Sequence, residues 1–443
     1  MLDSATKKEI KHLINKLKFS DIEKFYSGNK KSLIGLEYER LSLDKITFEN
    51  AKYNKLEKII RHFCNLTSWE LIYDENTVIG ASSKNGSSIS LEPGCQLEIS
   101  LYPREDILSI YKETKKITEL LDNIAKVYDV IFLGYGISPV SCVDNIELLN
   151  KRRYKVMDKY LPNCFYGELS QKMMRQTAGI QINIDYKDSK DAFYKLKFLN
   201  LIMPFMVGLC ANSPCENNNL SDKQSLRANV WKYTGKERCN IFYKNIFGGF
   251  FAYKNIFKNY INSVLDVPMI FIERNNNIIE LNGKINFREF MKNGIGEYGA
   301  TIEDYLLHQS LIFPDIRLKN YIEIRNHDSS DLNIAIALCA FYKGLLRADI
   351  KKYMKKNNYL KISDVDKYMD NIIKFGLSYK INSKMDAWCI IEDLFNLAKN
   401  YLDSSEVIYL NPILNMINNK KTKADLIIQK NISKACEIYE TLY

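Results

Sequence analysis

Polar residues set an even number of positions apart inside apolar, β-prone runs recur four times in this chain. They are Glu37 and Glu39 in Gly35-Leu36-Glu37-Tyr38-Glu39, and Glu92 and Glu98 around Pro93-Gly94-Cys95-Gln96-Leu97. Gln181 and Asn183 follow in Ile180-Gln181-Ile182-Asn183-Ile184, and Glu323 and Arg325 in Tyr321-Ile322-Glu323-Ile324-Arg325. Positions i and i+2 of a strand face the same side, so each group forms a polar array on one face with apolar side chains on the other. A single Glu-x-Glu pair is usually a solvated face. Four such arrays describe a sheet with one face lined by oxygen ligands, a means of holding Mg²⁺ and a nucleotide polyphosphate. The chain has only four histidines, His12, His62, His308 and His327, and no CxxC spacing among its ten cysteines. Any metal must therefore be held by oxygen, which favours a hard ion and disfavours a zinc or thioredoxin-like site.

The elements that must carry these residues follow from pattern. A chain of 443 residues, 46% hydrophobic and 26% charged, is long enough for a large globular core. Apolar spacing predicts helices over 5–27, 48–66, 106–127, 144–160, 188–211 and 253–265. Alternation predicts strands over 32–44, 130–137, 180–186, 268–273 and 321–325, with short hairpin strands between 69 and 101. Everything after Asp331 reads as helix. Strands joined here by hairpins and there by helices give an α+β pattern with a mainly antiparallel sheet. We expect one catalytic domain over 1–443, with a sheet-bearing core at 33–330 and a helical part at 331–443.

The same reading excludes several partners. The apolar run from Phe198 to Ala211 is broken by Asn200 and Pro204 and is too short to span a bilayer. The N-terminal MLDSATKKEI reads as a polar helix rather than a signal sequence, so a cytoplasmic protein with mostly buried, free thiols is expected. The net charge of +10 comes from lysines spread along the chain, without the blocks or motifs of a nucleic-acid binder.

At these residues the sequence resembles the plant and proteobacterial type of glutamate–cysteine ligase. The family's GIExE motif is matched by Gly35, Glu37 and Glu39, and its SLEPGGQxELS by Ser90 to Ser100, with Cys95 in place of a glycine. Arg153, Tyr154, Met157 and Tyr160-Leu161-Pro162 match GRYxxMxxYMP, with Arg152 in place of the glycine. Met173, Met174, Thr177, Gln181, Asn183 and Asp185 match MM…T…VQxNxD. Ser225, Arg227 and Trp231 match SxR…W, and Phe313, Pro314, Arg317, Lys319, Tyr321, Glu323 and Arg325 match FP…R…K…YxExR. The order holds from about residue 33 to 346.

The resemblance implies a glutamine-synthetase-like fold, a curved antiparallel sheet forming a cradle for substrate and ATP. It implies that the γ-carboxylate of glutamate attacks the γ-phosphate of ATP, and that an amine then displaces phosphate from γ-glutamyl phosphate. That reaction belongs to glutathione biosynthesis. A carboxylate attacking a polyphosphate meets charge repulsion, so cations must cover the transferred group. Glu37, Glu39, Glu92, Glu98 and Glu323 are the expected Mg²⁺ ligands. Arg325 is expected to meet the transferring phosphoryl oxygens, with Arg153 and Arg227 on substrate carboxylates. Gln181 and Asn183, with Arg317 and Lys319, are expected on the nucleotide side. Tyr154, Trp231 and Phe313 are expected in the core, and His308 in a structural place. The chain departs from the family at Gln176, Gly179, Leu101 and Tyr102, and Arg175 is displaced by one position. Gly179 is expected to enlarge the acceptor side of the pocket. The partners implied are glutamate and cysteine, or, in the alternative reading, another amine or acid in secondary metabolism. The sequence leaves the oligomeric state open.

Overall fold

The structure, a computed structural model, describes residues 17–28, 31–239, 246–247 and 253–442. Its centre is a nine-stranded sheet. The strands are β1 (Ile34–Asp44), β2 (Glu70–Asp74), β3 (Thr77–Ser82), β4 (Ser88–Leu91), β5 (Leu97–Ser100), β6 (Val130–Leu133), β7 (Gly179–Ile184), β8 (Ile316–Leu318) and β9 (Ile322–Asp328). Their order is β8-β9-β7-β1-β5-β4-β3-β2, with β6 paired to the far half of β1. Every pairing is antiparallel. The α+β expectation holds, and its antiparallel character is complete within this sheet.

Alternation sorts the two faces. Leu36 and Tyr38, Ile180 and Ile182, Ile322 and Ile324, Leu97 and Ile99, and Ile89 and Leu91 are all buried. They belong to one apolar core shared with helices Ile107–Val127, Ser189–Leu209 and Leu332–Arg347. The intervening residues, including Glu37, Glu39, Glu98, Gln181, Asn183, Glu323 and Arg325, occupy the other face. The helices after Asp331 pack into that core. A buried pair, Lys343 with Glu406, ties helix Leu332–Arg347 to the carbonyl of Glu105 and the amide of Ile107.

Several boundaries differ from expectation for local reasons. The first part of the helix expected over 5–27 lies outside the described residues; its described end is Phe19–Phe25. The region expected as helix 144–160 is a short turn at Val143–Asn145 followed by helix Arg152–Tyr160. The C-terminal part carries a small hairpin, Lys380–Asn382 with Met385–Asp386, where helix was expected. Helix Ser189–Leu209 is long and apolar enough to cross a membrane, and 89% of its apolar stretch is buried inside the protein.

Candidate active site

Strand register lays out the site. Glu37 stands opposite Gln181 on one side and Ser100 on the other, and Glu39 stands opposite Glu98. Glu323 stands opposite Asn183 on one side and Arg317 on the other. Glu92 comes from the turn between β4 and β5. There Cys95, at the family's glycine position, takes a left-handed φ of 63° and its amide bonds the Glu92 carbonyl at 2.8 Å. Gln96, buried beneath the turn, receives the Gly94 amide at 2.8 Å and donates to the Thr177 carbonyl. A non-glycine residue at such a φ is held there by its surroundings.

These elements enclose one cavity of about 290 Å³. Glu37, Glu39, Glu92, Glu98, Gln181, Arg153, Arg317, Lys319, Glu323 and Arg325 all line it. One wall is acidic and the other cationic. Arg317 Nε donates to Glu323 Oε2 at 2.5 Å, Lys319 Nζ lies 3.1 Å from Oε1, and Arg325 Nη1 lies 3.4 Å from Oε2. Arg325 Nη1 also donates to Gln181 Oε1 at 2.5 Å, and Gln181 Nε2 donates to Glu39 Oε1 at 2.9 Å. Asn183 lies outside the lining and donates to Glu37 Oε1 at 2.7 Å.

The electrostatics divide along the same line. Burial disfavours ionisation of Glu323, yet Arg317, Lys319 and Arg325 outweigh it and hold that carboxyl well below its ordinary range. The acidic wall behaves in the opposite way. Burial and then Glu323 raise Glu37; burial and then Glu92 push Glu39 up to about 7. Burial, with Glu92, Glu37 and Glu39 around it, raises Glu98 well above the usual carboxylate range, although Ser100 donates to it at 2.8 Å. Crowded buried carboxylates of this kind gain most from an added cation.

That crowding fits Mg²⁺ in part. Among the described residues no three Asp, Glu, His or Cys side chains are grouped to hold one metal ion together. The expected five-carboxylate ligand set is therefore not a single cage. Mg²⁺ commonly takes one or two carboxylates, with water and phosphate oxygens completing its shell. Glu37, Glu39, Glu92 and Glu98 fit such a role. Glu323, expected as a further ligand, has both oxygens engaged by three cationic side chains.

Arg227 does not line the cavity. It is buried, its Nη2 donates to the Arg325 carbonyl at 3.0 Å, and its guanidinium lies 5.4 Å from the centre of the Trp231 ring. It also fills the space beside Gly179: a Cβ there would sit 2.4 Å from Arg227 Nη2. Gly179 thus makes room for an arginine, and the expected enlargement of the pocket is not found. The other departures lie off the lining too. Gln176 is buried and donates to the Ser141 carbonyl, Leu101 is buried, Tyr102 is exposed, and Arg175 pairs with Asp158. His308 is buried, with Nε2 3.0 Å from the Val264 carbonyl.

Some lining residues were not expected. Tyr154, Trp231 and Phe313, read as core, face the cavity together with Met157, Met173 and Met174. Tyr154 is both, being 2% exposed and donating to Glu92 at 3.4 Å. Lys151, which is not part of the lining, carries its ammonium 4.7 Å from the Tyr154 ring, and burial lowers its pKa with Arg153 adding to the effect. No spacing signal marks Lys151, because it belongs to the coil before a helix.

Comparison with known proteins places this geometry. A family model described as glutamate-cysteine ligase family 2 (GCS2) matches residues 33–371. Chloroplastic glutamate–cysteine ligase B of Oryza sativa subsp. japonica is 31% identical over 316 residues, covering 71% of this chain and 62% of the rice protein. The chain thus spans under two thirds of that relative's length. The chloroplastic enzyme of Solanum lycopersicum is 27% identical over 405 residues, covering 89% of this chain and 75% of the tomato protein. The crystal structure of glutamate–cysteine ligase from Francisella tularensis in complex with AMP shares the fold. Its TM-score is 0.57 at 15% identity, over 90% of this chain and 84% of that one. The expectation of a cytoplasmic protein is corrected by these relatives: those of rice, tomato and Arabidopsis thaliana are all named chloroplastic. A polar N-terminus was too little to support it. With its polar strand arrays on one face of an antiparallel sheet and the family match running through all of them, the chain belongs to glutamate–cysteine ligase family 2.

Proposed function

We propose that this protein is an ATP-dependent glutamate–cysteine ligase that forms γ-glutamylcysteine through a γ-glutamyl phosphate intermediate. One observation carries the reading: a single cavity has buried, mutually repelling carboxylates on one wall and Arg317, Lys319 and Arg325 on the other. That division suits the transfer of a phosphoryl group from a metal-screened polyphosphate to a carboxylate.

Glu37, Glu39, Glu92 and Glu98 would hold Mg²⁺, whose charge screens the polyphosphate. Arg325 points its guanidinium across the sheet at Gln181, and it is the cation best placed to follow charge onto the transferring phosphoryl oxygens. Arg317 and Lys319 keep Glu323 ionised, and Glu323 in turn fixes all three cations without a metal. Arg153 lines the cavity with no ion pair among the described residues and a buried Nε without a partner, which suits a substrate carboxylate. Arg227, expected in that role, instead buttresses the Arg325 backbone. Met157, Met173, Met174, Trp231 and Phe313 offer soft apolar surface to the acceptor side chain.

The departures from the family lie away from the lining, which favours cysteine over a larger amine. The test is phosphate release from ATP with glutamate plus cysteine, 2-aminobutyrate or larger amines. Cysteine and 2-aminobutyrate should both turn over, separated by about 1–3 kcal/mol in kcat/KM, as expected for near-isosteres in an apolar pocket. Turnover with a larger amine alone would reassign the acceptor, and no turnover with any amine would reject the ligase reading.

A further inference from the structure

Helix Ser189–Leu209, helix Ile350–Lys356 and the turn at Ile362–Asp364 enclose a second cavity, of about 430 Å³, that shares no residue with the active-site cavity. Tyr194, Lys197 and Leu201 fall at i, i+3 and i+7 of the first helix, and Lys351, Met354 and Lys355 at i, i+3 and i+4 of the second. Each helix therefore gives one face to the cavity. The buried rings of Phe198 and Tyr353 meet edge-on at 5.6 Å and join the two helices, so core packing sets the walls.

Four lysines line this cavity, Lys197, Lys351, Lys355 and Lys361, and no carboxylate does. Among the described residues none of the four makes an ion pair; Lys197 and Lys351 meet only the rings of Phe193 and Tyr194, at 5.9 Å and 5.7 Å. Lysines of the same two helices that lie off the lining do find carboxylates: Lys195 pairs with Asp191 at 2.9 Å, and Lys356 with Asp393 at 3.8 Å. The helix dipole accounts for Lys355 in the last turn of Ile350–Lys356, but it opposes Lys351 in the first. Lys351 and Lys355 also repel each other across one turn. Positive charge gathered against local electrostatics around a concave surface is relieved by a bound anion. The floor adds a second requirement. Leu201 and Leu360 are buried there, and Tyr194, Met354 and Ile362 are half-buried, so the anion needs an apolar body as well. Lysine meets phosphate as a compact point charge, and four of them suit charge spread over more than one phosphoryl group.

We propose that this cavity is a second anion site, separate from the active site, that takes a nucleoside diphosphate or triphosphate. The base lies against Tyr194 and the apolar floor, and the phosphates lie among the four ammonium groups. The volume falls in the range of small-molecule sites, about 300–1,000 Å³. The site does not depend on the ligase reading, because none of its residues takes part in that chemistry.

The experiment reads each lysine separately. The full chain is acetylated with limiting reagent, with and without ADP free of Mg²⁺, and the labelling rate of every lysine is measured by peptide mass spectrometry. ADP should slow Lys197, Lys351, Lys355 and Lys361 several-fold. It should leave Lys352 and Lys356, on the same helix but off the lining, at their unliganded rates. Inorganic diphosphate at the same concentration should protect the four less, since it has nothing to lay on the apolar floor. Tyr194→Ala should weaken protection by ADP and not by diphosphate. Replacing the exposed Lys351 and Lys361 together, Lys351→Glu with Lys361→Glu, should abolish protection of Lys197 and Lys355. ADP that protects none of the four, or protects Lys352 and Lys356 equally, overturns the site and leaves a face of solvated lysines. Diphosphate that protects as well as ADP, with Tyr194→Ala unchanged, overturns the nucleotide assignment.

Discussion

Replacing Arg325 with Lys tests the cationic wall most directly. Arg325 spans the site: one nitrogen donates to Gln181 at 2.5 Å and lies 3.4 Å from Glu323, while its guanidinium stands 5.7 Å from the centre of the Trp231 ring. Lysine keeps the charge but offers one compact ammonium where arginine offers a planar fork. It can keep the contact with Glu323 or the reach toward the phosphoryl group, but not both. The loss is then about one charge-assisted hydrogen bond made in the transition state, or roughly 1.5–3 kcal/mol. At about 1.36 kcal/mol per decade, that lowers kcat by roughly 10- to 150-fold. Steady-state phosphate release at varied glutamate and saturating ATP separates the terms: kcat should fall more than the glutamate KM rises. A rise in KM with kcat unchanged would place Arg325 in ground-state substrate binding and refute the argument. A change below about two-fold in both would remove Arg325 from the chemistry altogether, since even a neutral hydrogen bond is worth about 1 kcal/mol.

Other consequences follow from single residues. Glu39→Gln or Glu98→Gln should cut turnover by orders of magnitude with the fold intact by circular dichroism; near-normal activity of both at limiting Mg²⁺ would sink the metal assignment. Gly179→Ala should destabilise the protein by about 1–3 kcal/mol, because the new methyl meets Arg227 Nη2 at 2.4 Å and the His327 carbonyl at 2.9 Å; unchanged thermal unfolding would show that Arg227 can move aside. Glu406→Ala should cost up to about 3–5 kcal/mol in denaturant unfolding, since it leaves the buried Lys343 ammonium with only the Glu105 carbonyl and the more distant, exposed carboxylate of Asp403 at 3.6 Å. His327 is fully buried, and burial lowers it from 6.5 to about 4. Between those values the unfolded chain binds more protons, so stability rises with pH there and about 3 kcal/mol is lost as pH falls from 6.5 toward 4. His327→Gln should flatten that limb of a stability–pH curve, and an unchanged limb would assign it to other groups.

Much of this site was legible in the sequence because strand periodicity is strictly local. Alternation alone places Glu37 with Glu39, Gln181 with Asn183 and Glu323 with Arg325 on shared faces, whatever the sheet does next. The family motifs add that these faces belong to one site. Helix limits were less legible: Arg152–Tyr160 begins well after the predicted start, because coil tied to Asp74 and Pro93 replaces its first turns. What the sequence could not contain is the pairing of distant strands. Only the register of β8, β9 and β7 decides that Glu323 is encircled by Arg317, Lys319 and Arg325, so a carboxylate that reads as a metal ligand becomes an anchor for cations. The packing of helix Leu226–Lys232 against β9 likewise places Arg227 on the Arg325 carbonyl and off the cavity lining, and gives Gly179 its reason. The sequence by itself determined which side chains share a face and which chemistry they can perform. Tertiary structure decided how deeply those charges are buried and which polar groups meet across the sheet, as Arg325 with Gln181 and Gln181 with Glu39 do from more than a hundred positions apart.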